Sequence, residues 1–185
     1  SPGLSHRAVR SLVFDPKLPY RLYVVTDQEV FAGEGAEAAW QSLFSLARIQ
    51  EPSEELEEST TEGSTSRGPL TALAIDPRSA TTLYLSSLEG MHTSTDGGTS
   101  WQPVTSLGLG TSQIHHLILH HHSPTVAYVA TSQGVARYAS EEGRWEPIYA
   151  GLPAQAAHFL AAAPQKIFAA TEQGLYMLDL TMEQM

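Results

Sequence analysis

The sequence predicts an all-β fold: a β-propeller of four-stranded antiparallel blades, about four of them in 185 residues. Three observations predict it. Markers recur in a fixed order, as Phe14-Asp15-Pro16, Tyr23 and Trp40, then Ile75-Asp76-Pro77, Tyr84 and Trp101, then Leu119-His120-His121, Tyr128 and Trp145. Their spacing is regular once one insertion is removed: Asp15 to Asp76, Tyr23 to Tyr84 and Trp40 to Trp101 are each 61 apart, whereas Tyr84 to Tyr128 and Trp101 to Trp145 are each 44. The surplus of 17 matches residues 51–67, EPSEELEESTTEGSTSR, which carry no apolar periodicity. Between the markers lie short Leu/Tyr/Val runs bounded by turn residues, the pattern of strands. Repeats of about 40–50 residues made of such strands indicate one small sheet per repeat.

The strands follow in order. Residues 10–14, 70–75, 114–119 and 158–162 read as first strands, rich in small and aliphatic side chains and expected to line the channel. Residues 21–26, 82–86, 126–131 and 166–171 read as second strands at the sheet centres. Third strands follow a Gln or Gly turn, at 29–32, 90–94, 134–138 and 174–178. Fourth strands begin at Trp40, Trp101 and Trp145, and the last unit, Phe159 to Phe168 onward, has none. Trp40, Leu43, Phe44 and Ala47 also fall at helical intervals, but the repeat register assigns this stretch to a strand. The expected units are 5–49, 68–109, 110–153 and 154–185, with 50–67 an acidic flexible insertion.

Composition bounds the function. Charged residues make up 16%, net charge is −10, and no apolar run approaches the roughly 18 residues that span a bilayer. This charge disfavours nucleic acid and anionic lipid. With no cysteine, disulfides and thiolate metal sites are excluded. The start at Ser1, without Met or a charged-then-apolar leader, predicts a processed product or a piece of a longer chain.

Ser94-Thr95-Asp96-Gly97-Gly98-Thr99-Ser100-Trp101 matches the pattern Ser/Thr-x-Asp-x-Gly-x-Ser/Thr-Trp/Phe at every defined position. On these residues the chain resembles Asp-box (BNR repeat) propellers, similar to those of sialidases, glycoside hydrolases, sortilin-like receptors and photosystem II assembly factors. The equivalent segments, 33–40 and 138–145, keep only their Trp. The resemblance implies structural roles for Ser94, Asp96, Gly98, Ser100 and Trp101, and a location outside the cytoplasm, periplasmic or secreted. Physically, Asp96 suits a turn clamp that accepts backbone N–H bonds, the glycines permit positive φ, and Trp101 packs beneath.

Catalytic patterns are scarce. Glycosidases generally need two carboxylates flanking the bond, and the resemblance to sialidases calls for an Arg cluster that has no counterpart on equivalent strands. No Gly-x-Ser-x-Gly, phosphate loop or dinucleotide fingerprint is present. No catalytic residue and no cofactor is therefore assigned. His115, His116 and the run His120 to His122 suggest a metal, with His120 and His122 the candidate ligands, but His120 and His121 replace Asp76 and Pro77 of the neighbouring unit and so read as an exposed polar turn.

Topology puts the interblade links and the turns between second and third strands on one face. Asp27, Glu29, Glu89 and Glu172 are expected there, with Glu54, Glu55, Glu57 and Glu58 of the insertion. Such a field attracts a basic peptide or protein surface. The expected function is a non-catalytic scaffold for protein or peptide binding or assembly through this acidic face. The alternatives are a carbohydrate-binding or glycoside-hydrolase-type propeller and a purely structural self-assembling ring. Four units with an incomplete last one predict that the ring is completed by another copy, a homodimer of eight blades, by a second chain or by the rest of a longer polypeptide; Ser1-Pro2-Gly3-Leu4 resembles the linker Ala150-Gly151-Leu152-Pro153. A compact four-bladed monomer is the competing expectation.

Overall fold

A computed structural model describes residues 4, 7–34, 39–49, 68–105, 107–120, 126–139, 142–148 and 155–180. The insertion, with Glu54, Glu55, Glu57 and Glu58, and also His122, lie outside the described residues.

Four antiparallel sheets follow one another along the chain. Blade 1 is β1 (Val9–Phe14), β2 (Arg21–Thr26), β3 (Glu29–Glu34) and β4 (Gln41–Ser45), followed by the single-turn helix α1 (Leu46–Ile49). Blade 2 is β5 (Leu70–Ile75), β6 (Leu83–Ser87), β7 (Gly90–Ser94) and β8 (Gln102–Val104). Blade 3 is β9 (Ile114–His120), β10 (Val126–Thr131), β11 (Gly134–Ala139) and β12 (Arg144–Ile148). Blade 4 is β13 (Ala157–Ala163), β14 (Lys166–Thr171) and β15 (Gly174–Asp179), a three-stranded sheet. Each sheet runs in sequence order from inner to outer strand. The helical spacing around Trp40 is realised only as α1; its main part is β4, because pairing with β3 satisfies a whole row of backbone groups.

Three apolar clusters fill the three junctions. Tyr23, Val25, Val30 and Phe44 of blade 1 meet Leu70, Leu73, Leu83 and Leu85 of blade 2. Ala72, Ala74 and Met91 on the reverse of blade 2 meet Ile114, Leu117, Val129 and Trp145 of blade 3. Tyr128, Ala130 and Ile148 meet Leu160, Ile167, Ala169 and Leu178 of blade 4. Alternation along each strand supplies one set of side chains to each neighbour, so an inner sheet is apolar on both faces.

The two outermost faces each leave large apolar side chains exposed. On blade 1, Leu12, Phe14 and Tyr20 are exposed, Phe14 to 67%. On blade 4, Phe159, Leu175 and Met177 are exposed, Leu175 to 71%. Blades 1 and 4 therefore leave these apolar side chains uncovered.

Each second-to-third turn is tied by one hydroxyl. The side chains of Thr26, Ser87, Thr131 and Thr171 donate to the carbonyls of Glu29, Gly90, Gly134 and Gly174 at 3.0–3.2 Å. These ties fix the turn tips that rim the mouth described next.

Candidate functional site

Every inner strand carries a register shift at the same place. β1 skips one residue between Val9 and Ser11, β5 between Leu70 and Ala72, β9 between Ile114 and His116, and β13 between Ala157 and Phe159. The skipped residues are Arg10, Thr71, His115 and His158. A β-bulge leaves its extra residue out of the ladder and re-aims the side chain. Here all four, with Val9, Leu70, His116 and Phe159, line one groove of about 390 Å³ where the inner strands begin.

Within the groove the imidazoles are ordered by neighbours. His115 Nδ1–H donates to the Ala157 carbonyl at 2.9 Å, and its ring stacks on His158 with centroids 5.4 Å apart and planes 16° apart. His116 Nδ1 accepts the Leu160 N–H at 3.4 Å, which places the proton of the neutral ring on Nε2. The ring lies 5.0 Å from Phe159, and burial pushes its pKa below the ordinary imidazole value. Among the described residues no Asp or Glu lines the groove.

Carboxylates stand instead at the turn tips. Asp27, Glu89 and Glu172 belong to three of the four turns, and Glu172 Oε1 lies 3.8 Å from His158 Nε2. Glu29 differs from the expected open field because its carboxylate is paired with the Arg7 guanidinium, which also lies 5.2 Å over the Phe31 ring. The described residues on either side of residues 50–67 bond to the first of these turns: Leu46 N–H donates to Gln28 O at 3.0 Å, and Leu70 N–H to Asp27 O at 2.8 Å.

The His120 expectation is corrected. This residue closes β9, is buried, and donates Nε2–H to the Ala163 carbonyl of blade 4 at 3.0 Å, with its ring edge-on to Tyr128. It bridges blades 3 and 4 because its strand runs one residue longer than the Asp-Pro pattern of blades 1 and 2 suggested. Among the described residues no group of three or more His, Asp or Glu is arranged to hold a metal.

On the opposite face, the Ser94 to Trp101 segment forms a closed clamp. Asp96 Oδ1 accepts the Ser100 N–H at 2.9 Å and the Ser94 hydroxyl at 2.7 Å, and Oδ2 accepts the Ser100 hydroxyl at 2.6 Å. These bonds, those from Ser100 first, hold the Asp96 pKa at about 2. Gly97 and Gly98 take φ of +74° and +93°. Trp101 Nε1 donates to Gly98 O and, across the junction, to Leu43 O of blade 1. Both oxygens of the Asp96 carboxylate thus accept bonds from within its own turn.

His92 is buried beside Phe44, 5.3 Å between ring centroids, and its Nδ1 has no partner among the described residues. Burial lowers its pKa, as it does that of His116. The unfolded chain takes up these protons near pH 6.5 while the folded chain resists them. Stability is therefore complete above about pH 7.5 and falls as pH drops through 6.5 toward the folded-state values. Urea midpoints at pH 8 and pH 5.5 check this: the acidic one should be lower, and His92→Leu should shrink the difference. Equal midpoints for the unmutated protein would contradict it.

No protein-family profile matches this sequence, and no curated protein matches it. Solved structures do. The chain is similar to the Niastella koreensis GH74 enzyme (14% identity, TM-score 0.67), covering 95% of this chain and 29% of that one. It is similar to the extracellular domain of a hybrid two-component system from B. thetaiotaomicron (15%, TM-score 0.65; 96% and 24%) and to YCF48 from Cyanidioschyzon merolae (12%, TM-score 0.64; 96% and 55%). The chain thus spans about a quarter to a half of these neighbours. At such identities the likeness defines the fold, and the fold is that of a β-propeller.

Proposed function

We propose that this chain is a binding scaffold that engages a basic peptide or protein surface at the face where the inner strands begin. The observation that carries this reading is the placement of Asp27, Glu89 and Glu172 on tied turns around the groove, with the sequence adding the Glu-rich residues 51–67 between blades 1 and 2. Arg10 brings one positive charge to the groove against three carboxylates at its rim. The field at such a mouth steers cations and is screened over about 8 Å at physiological salt. Asp-box kinship, suggested by the clamp of Asp96, and a location outside the cytoplasm belong to the same proposal. The extracellular domains among the structural neighbours support the latter, and no helix among the described residues is long and apolar enough to cross a membrane.

Titration with a Lys-rich peptide tests it. Binding should weaken as salt rises, and the triple variant Asp27→Lys, Glu89→Lys, Glu172→Lys should lose about tenfold or more in affinity, about 1.4 kcal/mol. An acidic peptide that binds as well as the basic one would sink the idea.

The exposed faces of blades 1 and 4 favour a second, compatible reading, in which two copies join head to tail into a ring of eight blades. Both faces are apolar, and such contiguous surface is normally covered. Light scattering distinguishes a dimer, twice the 20.0 kDa of one chain, from a dilution-resistant monomer.

A further inference from the structure

We propose that the outer edge of β15 is a strand-acceptor site, which takes from a partner polypeptide an extended, Trp-led segment with the chemistry of β4, β8 and β12.

The seat is defined by its three sisters. In blades 1 to 3 the outer edge of the third strand is paired with a strand that follows a Trp or contains it: Trp40-Gln41-Ser42-Leu43, Trp101-Gln102-Pro103-Val104 and Trp145-Glu146-Pro147-Ile148. In blade 4 the sheet order ends at β15, and no strand among the described residues pairs with its outer edge. The registers of blades 3 and 4 superimpose with an offset of 40, because Thr131 faces Gly134 as Thr171 faces Gly174. Since Val135 faces Ile148 and Arg137 faces Glu146 in blade 3, Leu175 and Met177 are the residues that a fourth strand would meet. An unpaired edge carries a row of backbone donors and acceptors that readily takes up another strand. Leu175, at 71% exposure, and Met177, at 45%, add apolar surface beside it.

Trp40 supplies an independent observation. Trp101 and Trp145 each donate Nε1–H to a carbonyl at the outermost strand of the preceding blade, Leu43 O at 3.2 Å and Thr105 O at 3.0 Å. Trp40 has the same place in blade 1, its ring lying so close over Gly33 that a Cβ there would come within 2.8 Å. Yet its Nε1 is buried without a hydrogen-bond partner among the described residues. A buried donor of this kind is rare and calls for an acceptor beyond the described residues. Blade 1 is thus shaped to follow a blade that has an outermost strand, and among the described residues blade 4 shows none. A segment seated on β15 meets both needs in a head-to-tail ring, a coincidence that rests on the second reading above; the seat itself does not.

The test titrates a fluorescent peptide of residues 144–150, Arg-Trp-Glu-Pro-Ile-Tyr-Ala, with the full chain and follows anisotropy, with light-scattering mass read in parallel. Saturable one-to-one binding is expected, with slower amide exchange in β15. Backbone N-methylation of the peptide at Glu146 and Ile148, which removes ladder donors without touching the protein, should weaken binding about tenfold or more. Leu175→Asp should weaken it similarly. In a dimer the Trp40 indole N–H signal should gain protection when peptide is added. Equal binding of the N-methylated peptide, or no saturation by about 1 mM, overturns the proposal. So does a peptide-free dimer whose β15 amides are already protected, because a second copy then fills the seat and the ring reading alone survives. Peptide binding to a strict monomer leaves the seat standing and removes the ring.

Discussion

Replacing Trp145 by alanine is expected to lower stability by about 3–5 kcal/mol, the cost of truncating a large buried aromatic residue. Trp145 is 2% exposed and sits in the cluster between blades 2 and 3, 5.1 Å from the Tyr138 ring. Blade 2 cannot close over the loss, since its facing strands are locked in a ladder of backbone bonds. Truncation also strips the Thr105 carbonyl of its indole donor. At 185 residues such a loss lowers Tm by about 10 °C. Trp145→Phe separates the contributions: the ring volume is largely kept and the bond is lost, for about 1 kcal/mol. Urea melts of both variants check the pair. A loss below about 1 kcal/mol for Trp145→Ala would show that the junction does not depend on this ring.

Gly108→Ala is the second large effect, expected to cost about 3 kcal/mol or more. Gly108 has φ of +96°, where an L side chain is strained by about 1–2 kcal/mol. The larger obstacle is backbone. A Cβ there would lie 2.0 Å from the Trp145 carbonyl oxygen and 2.9 Å from its carbon, atoms that no rotamer change can move. Relief requires displacing the link from β12 and with it the 2.8 Å bond from Trp145 N–H to Leu107 O. Gly97→Ala is the control, because Gly97 also has positive φ, +74°, but a Cβ there meets nothing within 4 Å. It should cost only the conformational strain. If the two substitutions cost the same by urea melt, the link does not press on β12.

The blades were legible in the sequence because their signals are local. Tyr23, Tyr84 and Tyr128 mark central strands, and each Trp stands at or just before a fourth strand, so the strand boundaries follow to within about one or two residues. That residues 154–185 hold no Trp was equally plain, and among the described residues the fourth sheet ends at β15. The groove was not. Its four residues become a set only through bulges, and a bulge is a mismatch between two strands that neither displays alone. Alignment of the repeats does place Arg10, Thr71 and His115 at one position, a weak signal that the first-strand pattern of small aliphatic residues obscured. Sequence spacing set His120 in a turn, whereas one further ladder pair with Val126 carries it into β9 and under blade 4. The pairing of Glu29 with Arg7 joins residues 22 apart and had no local sign.

The indole bonds give the array a direction. Trp101 reaches back to Leu43 and Trp145 back to Thr105, so the indoles of blades 2 and 3 each fasten their blade to the one synthesised before it. Removing the last blade leaves both fastenings whole; removing the first takes from Trp101 its Leu43 acceptor, an acceptor that Trp40 lacks among the described residues. In its indole bonds the chain is a one-way stack, like shingles laid from the eave, the second and third courses each pinned to the one beneath.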